Sequence, residues 1–376
     1  MPINKFKQFL NSTWFWILVS ILVITVILSF PPPSGLSRDG LKALALLATV
    51  VILFISEPIP LPGIIFFIAI YQVLMGLGMP TQVAKSFMHD AVFFIMGALM
   101  IGVALNSQAI GKRLILILIN KVGNNARKIG LSIITTAALL AGFIADHVVA
   151  AVLTPLVISL LKTTRGETNR DIANLSKYLL FSVAYGATIG GLYAPTGGGR
   201  NIVMLGLLDE MTHNQISFGQ WILLSFPITL LLIPTTGFVL NLVFKPEITD
   251  ISLAVAGLRE ELEEREVTGE TWLTLVIFAT IVTLWITAGT MIGLGIIALI
   301  GATLYLIFGI VDWEEYQRGV NWGVIVIYMG ALSMGSLLNR TGAAGWIAST
   351  VMNFLREGLN LTGFAPIAVA VSFLTT

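Results

Sequence analysis

The sequence predicts an all-α polytopic membrane protein, organised as an inverted repeat with a re-entrant hairpin and a discontinuous helix. Three observations predict it. Of 376 residues, 56% are apolar and 11% charged, and the mean hydropathy is +0.91, a balance that would aggregate in water. The stretch from Ile129 to Leu161 is almost unbroken apolar sequence, and at ~1.5 Å rise per residue it far exceeds what one ~30 Å hydrocarbon core requires. Met96-Gly97-Ala98-Leu99 recurs as Met329-Gly330-Ala331-Leu332; at the same separation Gly102 matches Gly335, Leu105 matches Leu338 and Asn106 matches Asn339.

Composition also excludes. A net charge of +1 argues against a nucleic-acid partner. The absence of cysteine removes disulfides and thiolate metal sites. No His-Glu-x-x-His occurs, and the glycines near residue 198 are not followed by Gly-Lys-Ser/Thr, so neither a zincin nor a Walker loop is present.

In chain order, Lys5 and Lys7 precede a first apolar run, which is expected to span the membrane from a cytoplasmic N-terminus. It is not a signal peptide, since no small-residue cleavage site precedes Pro31-Pro32-Pro33. Apolar runs place spans at about 14–30, 41–55, 61–78, 91–106, 178–208, 218–244, 272–289, 291–310 and 321–338. Lys112, Arg113, Lys121, Arg127 and Lys128 precede the 129–161 stretch, and Lys162, Arg165, Arg170 and Lys177 follow it. Positive flanks mark the cytoplasmic side, so both ends lie on one side and the segment folds as a hairpin with Ala145, Asp146 and His147 at its tip. Polar backbone at that depth must be buried in protein or line a cavity.

The run from Tyr178 is interrupted by Ala194-Pro195-Thr196-Gly197-Gly198-Gly199-Arg200-Asn201. Proline and consecutive glycines break a helix interior, so 178–208 is expected to be discontinuous. Residues 245–270, with Glu260, Glu261, Glu263, Glu264 and Glu266 around Arg259 and Arg265, read as a solvated cytoplasmic connector, part helix. The organisation is then a first span and loop (1–40), a first repeat (41–244), the connector (245–270) and an incomplete second repeat (271–376). An odd number of crossings between the copies makes them antiparallel, the arrangement of secondary transporters with a binding site near the midplane. Carried forward, the repeat places the counterpart of Asp146 beyond Thr376, so the second hairpin is expected to be cut short and this chain inactive alone.

Two motifs carry a resemblance. Ser56-Glu57-Pro58-Ile59-Pro60-Leu61-Pro62 is similar to the early Glu-Ala-Ile-Pro-Leu-Pro motif of the divalent anion:sodium symporter family, and Gly190-Gly191-Leu192-Tyr193-Ala194-Pro195-Thr196-Gly197 to its Gly-Gly-Ile-Ala-Thr-Pro-x-Gly run. The resemblance covers nearly the whole chain. It implies a scaffold with a moving transport domain, often in a homodimer, that carries dicarboxylate, citrate or sulfate with Na⁺ as coupling ion and no other cofactor. The family usually has Ser-Asn-Thr at the hairpin tip, where Ala145-Asp146-His147 stands, and Thr-Pro-Pro-Asn in the broken helix, where Gly198-Gly199-Arg200-Asn201 stands. Asn201 alone is kept.

Arg200 is the sharpest single feature. A guanidinium at membrane depth costs at least ~2.5 kcal/mol on insertion scales, so it faces a partner or a cavity. It reads either as an anion fork, aided by the half-helix N-terminus near Asn201, or as the partner of Asp146; the two can be successive states of one cycle. Asp146 beside His147 reads as a Na⁺ site, as a proton-coupling pair or as a purely structural element; for the cation role Asp146 is preferred to His147, whose neutral imidazole is a poor ligand for hard cations. His147, Thr196 and Asn201 are candidate substrate ligands. Thr188, Gly197 and Gly198 are candidates for the ion site. For Thr188, Thr196 and Asn201 the alternative is local capping or bonding to a helix carbonyl. Asn106 and Asn339 read as packing or helix-end residues, and His89 and His213 carry no assigned role. A sodium/proton antiporter or arsenite-type carrier of the wider superfamily, and an intramembrane metal-dependent enzyme, remain as alternatives. Multi-pass insertion in a bacterial-type plasma membrane is expected.

Overall fold

A computed structural model describes residues 12–108, 123–164, 169–212, 215–248 and 268–354, with a few single positions between them. All regular structure among these residues is helical. The helices are α1 (Thr13–Ser29), α2 (Arg38–Ser56), α3 (Leu61–Leu74), α4 (Pro80–Phe87), α5 (Asp90–Ser107), α6 (Ala126–Ala141), α7 (Asp146–Thr163), α8 (Asn169–Tyr193), α9 (Gly199–Thr212), α10 (Phe218–Phe244), α11 (Gly269–Ile292), α12 (Leu294–Ile307), α13 (Trp313–Gly319), α14 (Trp322–Arg340) and α15 (Ala343–Asn353). Five helical stretches among the described residues are long and apolar enough to cross a membrane, and α1, α3 and α12 are shorter apolar helices. The acidic part of the connector and residues 355–376, where a second hairpin is expected, lie outside the described residues, as do His213, Lys112 and Arg165.

Three helices escape a search for long apolar runs: α4, α13 and α15. The first two are short and amphipathic, and their starts are written in capping residues instead. Asp312 accepts from the Glu315 N–H at 2.7 Å while the Glu315 carboxylate accepts from the Asp312 N–H, a reciprocal box that satisfies two of the donors a helix start leaves open. Gln82 serves the Met79 N–H in the same way. Gly293, at φ +93°, separates α11 from α12, close to the break expected between the 272–289 and 291–310 spans.

Several elements are related by the same 233-residue separation. A shift of 233 residues carries α3 onto α12, both of 14 residues. Each of the two ends in a glycine with left-handed backbone, Gly76 (φ +70°) and Gly309 (φ +65°). In each, the next N–H reaches back over the turn, Leu77 to the Gln72 carbonyl and Ile310 to the Tyr305 carbonyl, the Schellman closure that favours glycine. The boxes of α4 and α13 are related by the same shift.

The chain forms two compact units, Met1–His89 with Val326–Thr376, and Asp90–Ile325. In the first, Leu46, Ile64, Ile65, Ile68 and Leu337 are buried. A polar chain threads this apolar core. Arg340 donates to the Gln72 side-chain oxygen (3.0 Å), Gln72 to Ser333 (2.9 Å), and Ser86 to the Val83 carbonyl. Because the Ser86 proton is thus committed, Ser333 donates to Ser86 (2.8 Å). Gln72 and Ser333 are wholly buried, and the network links α3, α4 and α14.

The second unit is built on glycine contacts. On α8, Gly186 and Gly190 lie directly on the backbone of α6 at Ile134 and Ala138, so closely that any Cβ would collide. The reverse fit occurs at the two ends of α6, where Gly130 and Gly142 receive the rings of Tyr178 and Tyr193. Each tyrosine hydroxyl donates to the carbonyl three residues before its glycine, Arg127 (3.0 Å) and Leu139 (2.8 Å). Small residues permit the close backbone approach, and the ring hydroxyls find partners inside apolar packing. Elsewhere in this unit, Trp285 contacts Phe94 and Phe218 at ring distances of 5.2 and 5.1 Å and donates to the Leu294 carbonyl.

Candidate substrate and ion site

Two interruptions of helix meet in the second unit. The first is the turn from Gly142 to Ala145 between α6 and α7; the second is the one-turn 3₁₀ segment Pro195–Gly197 between α8 and α9. Each break leaves backbone carbonyls without helical partners. The sequence supplies side-chain donors for them. Asn201 gives its amide hydrogens to the Gly191 (2.7 Å) and Ala194 (3.0 Å) carbonyls, tying the start of α9 to the end of α8. Thr196 donates to the Gly142 carbonyl at 2.6 Å, tying the 3₁₀ turn to the hairpin tip. Trp221, on α10, donates to the Leu192 carbonyl at 3.0 Å. Gly197 lies against the Ala141 carbonyl and the Gly191 backbone, where a Cβ has no room.

Around this clamp stand the charged side chains. Asp146 is the first residue of α7, and Arg200 lies in the first turn of α9. An Arg200 Nη approaches the Asp146 Oδ2 at 3.7 Å, longer than a hydrogen bond to a carboxylate. The other carboxylate oxygen, Oδ1, accepts from the His147 backbone N–H at 2.7 Å and lies 3.3 Å from the His147 ring. The Arg200 side chain is 56% exposed, that of His147 52%, and that of Asp146 30%. Gly191 and Gly198 border the guanidinium; a Cβ built on either would sit 3.5–3.6 Å from it. Two helix N-termini, those of α7 and α9, therefore converge beside an open guanidinium, and both favour negative charge.

A family model described as the sodium:sulfate symporter transmembrane region matches residues 11–376. The chain belongs to the sodium:sulfate symporter family. Among curated relatives, an uncharacterized transporter of Haemophilus influenzae is 26% identical over 95% of this chain and 77% of its own length. The sodium-dependent dicarboxylate transporter SdcS of Staphylococcus aureus is 22% identical over 98% of this chain and 74% of its own. With its apolar helices, the chain is an integral multi-pass membrane transporter.

In this member of the symporter family the geometry brings Asp146, His147, Arg200, Thr196, Asn201, Gly197 and Gly198 to one region. Thr188 donates to the Ala184 carbonyl of its own helix at 3.0 Å, and no contact joins it to the others among the described residues. Thr196 and Asn201 are buried and spend their donors on backbone carbonyls. Asn106 and Asn339 lie in the last turns of α5 and α14. Two residues that the sequence pattern does not single out, Tyr193 and Trp221, hold the same breaks. Their signal is faint: Tyr193 stands where the family's run has alanine, and Trp221 follows the Ser217–Gln220 capping box at the start of α10.

Proposed function

We propose that this protein is a secondary active transporter that moves a small anion of the dicarboxylate, citrate or sulfate class, coupled to Na⁺. What carries the reading is the exposed Arg200 guanidinium between the N-termini of α7 and α9, at the meeting of a hairpin tip and a broken helix. The family's description names sodium and sulfate, and one relative is named for sodium-dependent dicarboxylate transport. An arginine at this place favours an anionic cargo over pure cation exchange. Asp146 would take the cation through Oδ2, the oxygen not bonded to the His147 N–H, with nearby backbone carbonyls completing an oxygen shell suited to Na⁺.

In this reading Thr196 and Asn201 shape the site by fixing both helix breaks; with their donors spent on carbonyls, their side-chain oxygens suit the cation rather than an anion, which needs donors. Gly197 and Gly198 permit close backbone approach, and His147 adds a donor at the rim. Inverted repeats within a homodimer would supply the alternating access, and no enzymatic step is required. The test is uptake of labelled succinate, citrate and sulfate by the full-length protein in proteoliposomes under imposed Na⁺ and pH gradients. Uptake of at least one anion should follow the Na⁺ gradient and vanish in Arg200→Ala. Anion uptake untouched by that substitution would remove Arg200 from the site.

A further inference from the structure

Asp146 and Arg200 are close enough to attract and too far apart to close a hydrogen bond. The carboxylate is also divided in its attachments. Oδ1 is held by its own helix through the His147 N–H, whereas Oδ2 faces the guanidinium with nothing else bonded to it among the described residues. On the other side, Arg200 offers five N–H donors and makes no hydrogen bond among the described residues. Gly191 and Gly198 put no side chain in the space beside it. The pair is an ion contact whose two members each keep capacity for another partner.

We propose that the Asp146 carboxylate is a tethered competitor of the transported anion for Arg200, and that Na⁺ bound at Asp146 releases the guanidinium to the anion. The proposal rests on the anion-transport reading above. Its logic is charge balance. While no cargo is present, Asp146 supplies the counter-charge that Arg200 needs. An entering dianion takes the planar fork with two oxygens, which one Asp146 oxygen at 3.7 Å does not do. The displaced carboxylate then has no cation beside it, and an unpaired charge at membrane depth is unfavourable. A sodium ion at Oδ2 removes that penalty. Cargo and cation thereby favour each other although they touch different groups, and such coupling is reciprocal by thermodynamic necessity.

Because the contact is half-exposed, its strength is that of a modest ion pair, and the expected coupling is about fivefold in affinity. The experiment measures binding of radiolabelled succinate and of sulfate to the purified full chain in nanodiscs, with Na⁺ replaced by choline at constant ionic strength. In the unaltered protein, Na⁺ should tighten anion binding about fivefold. In Asp146→Asn, binding in choline should already match the unaltered protein in Na⁺, and Na⁺ should add nothing. If Asp146→Asn binds anion more weakly than the unaltered protein in choline, or still responds to Na⁺, the competitor role is overturned while the transport reading stands. Should neither anion bind any form, the reading and the proposal fall together. Reciprocity gives a second measurement that needs no substitution: succinate must lower the Na⁺ concentration for half-occupancy by the same factor. Independent binding of the two would overturn the proposal even if Asp146→Asn did not fold.

Discussion

Gly97 on α5 lies directly on Ala298 of α12, so that a Cβ at 97 would fall 2.5 Å from the Ala298 Cβ. The corresponding relation holds in the other unit, where Gly330 on α14 lies on Ile65 of α3 and its Cβ would meet the Ile65 side chain at 2.5 Å. Positions 97 and 330 correspond under the repeat, as do 65 and 298. Each compact unit thus contains a pair of helices, one from either side of the 233-residue shift, packed through a glycine at the corresponding position. The segments 96–106 and 329–339, where the identities at that shift concentrate, each supply one of these glycine contacts.

Substituting Gly97 by valine should therefore destabilise the second unit, by about 1–3 kcal/mol as overpacking of a tight contact. Gly330→Val should be milder, because its neighbours are side-chain atoms of Ile65, whereas at Gly97 the neighbour includes the Ala298 backbone. Thermal unfolding in detergent compares the two, and equal sensitivity would contradict the difference in contact.

Gln72→Leu should lower stability by ~1–3 kcal/mol, since Ser333 loses its donor inside the core and the Arg340 guanidinium loses its acceptor. All members of this network lie in the first unit, so anion affinity should be unchanged. A Gln72→Leu protein that unfolds normally but binds anion poorly would show a functional role for the network instead.

Thr196→Val keeps the shape of the side chain and removes the donor to the Gly142 carbonyl. The loss of one buried hydrogen bond is ~1 kcal/mol in stability. The larger effect should be on transport, because this bond joins the hairpin tip to the broken helix and a misplaced tip shifts Asp146 against Arg200. Uptake kinetics should report a raised KM; a pure loss of folded protein with unaltered KM would reduce Thr196 to a structural residue.

Arg200→Lys preserves charge and abolishes the two-pronged donor geometry. Anion uptake should persist with KM raised about tenfold, the worth of one charged hydrogen bond. Concentration-dependent uptake in proteoliposomes checks it, and wild-type KM would mean that Arg200 acts as a point charge only.

Much of the fold and of the site is legible in the amino-acid sequence. Helix existence follows from apolar runs, since membrane depth forces the backbone to bond within its own segment. Pro195 and the glycines at 197–199 announce the break of the α8–α9 run, and the basic flanks of 129–161 announce a turn near Asp146. Arg200 stands out because a guanidinium in such a run needs a reason. The short helices α4 and α13 are hidden, because amphipathic segments of one or two turns carry no long apolar signal; their capping boxes are the readable trace.

The helical architecture, the recurrence of the 96–106 segment at 329–339, the positions of both breaks and the identity of the charged residues near them are readable along the chain, because each is a local property of spacing, apolarity or backbone chemistry. What those residues do with their bonding groups emerges from the folded arrangement alone. Thr196 spends its hydroxyl proton on Gly142, Asn201 its amide on the end of α8, and Asp146 leaves one oxygen toward Arg200 without closing a hydrogen bond. Those pairings join positions up to dozens of residues apart, and which donor meets which carbonyl depends on how closely the glycines of α8 let it approach α6. Close approach is a property of two surfaces together, and neither helix encodes it alone.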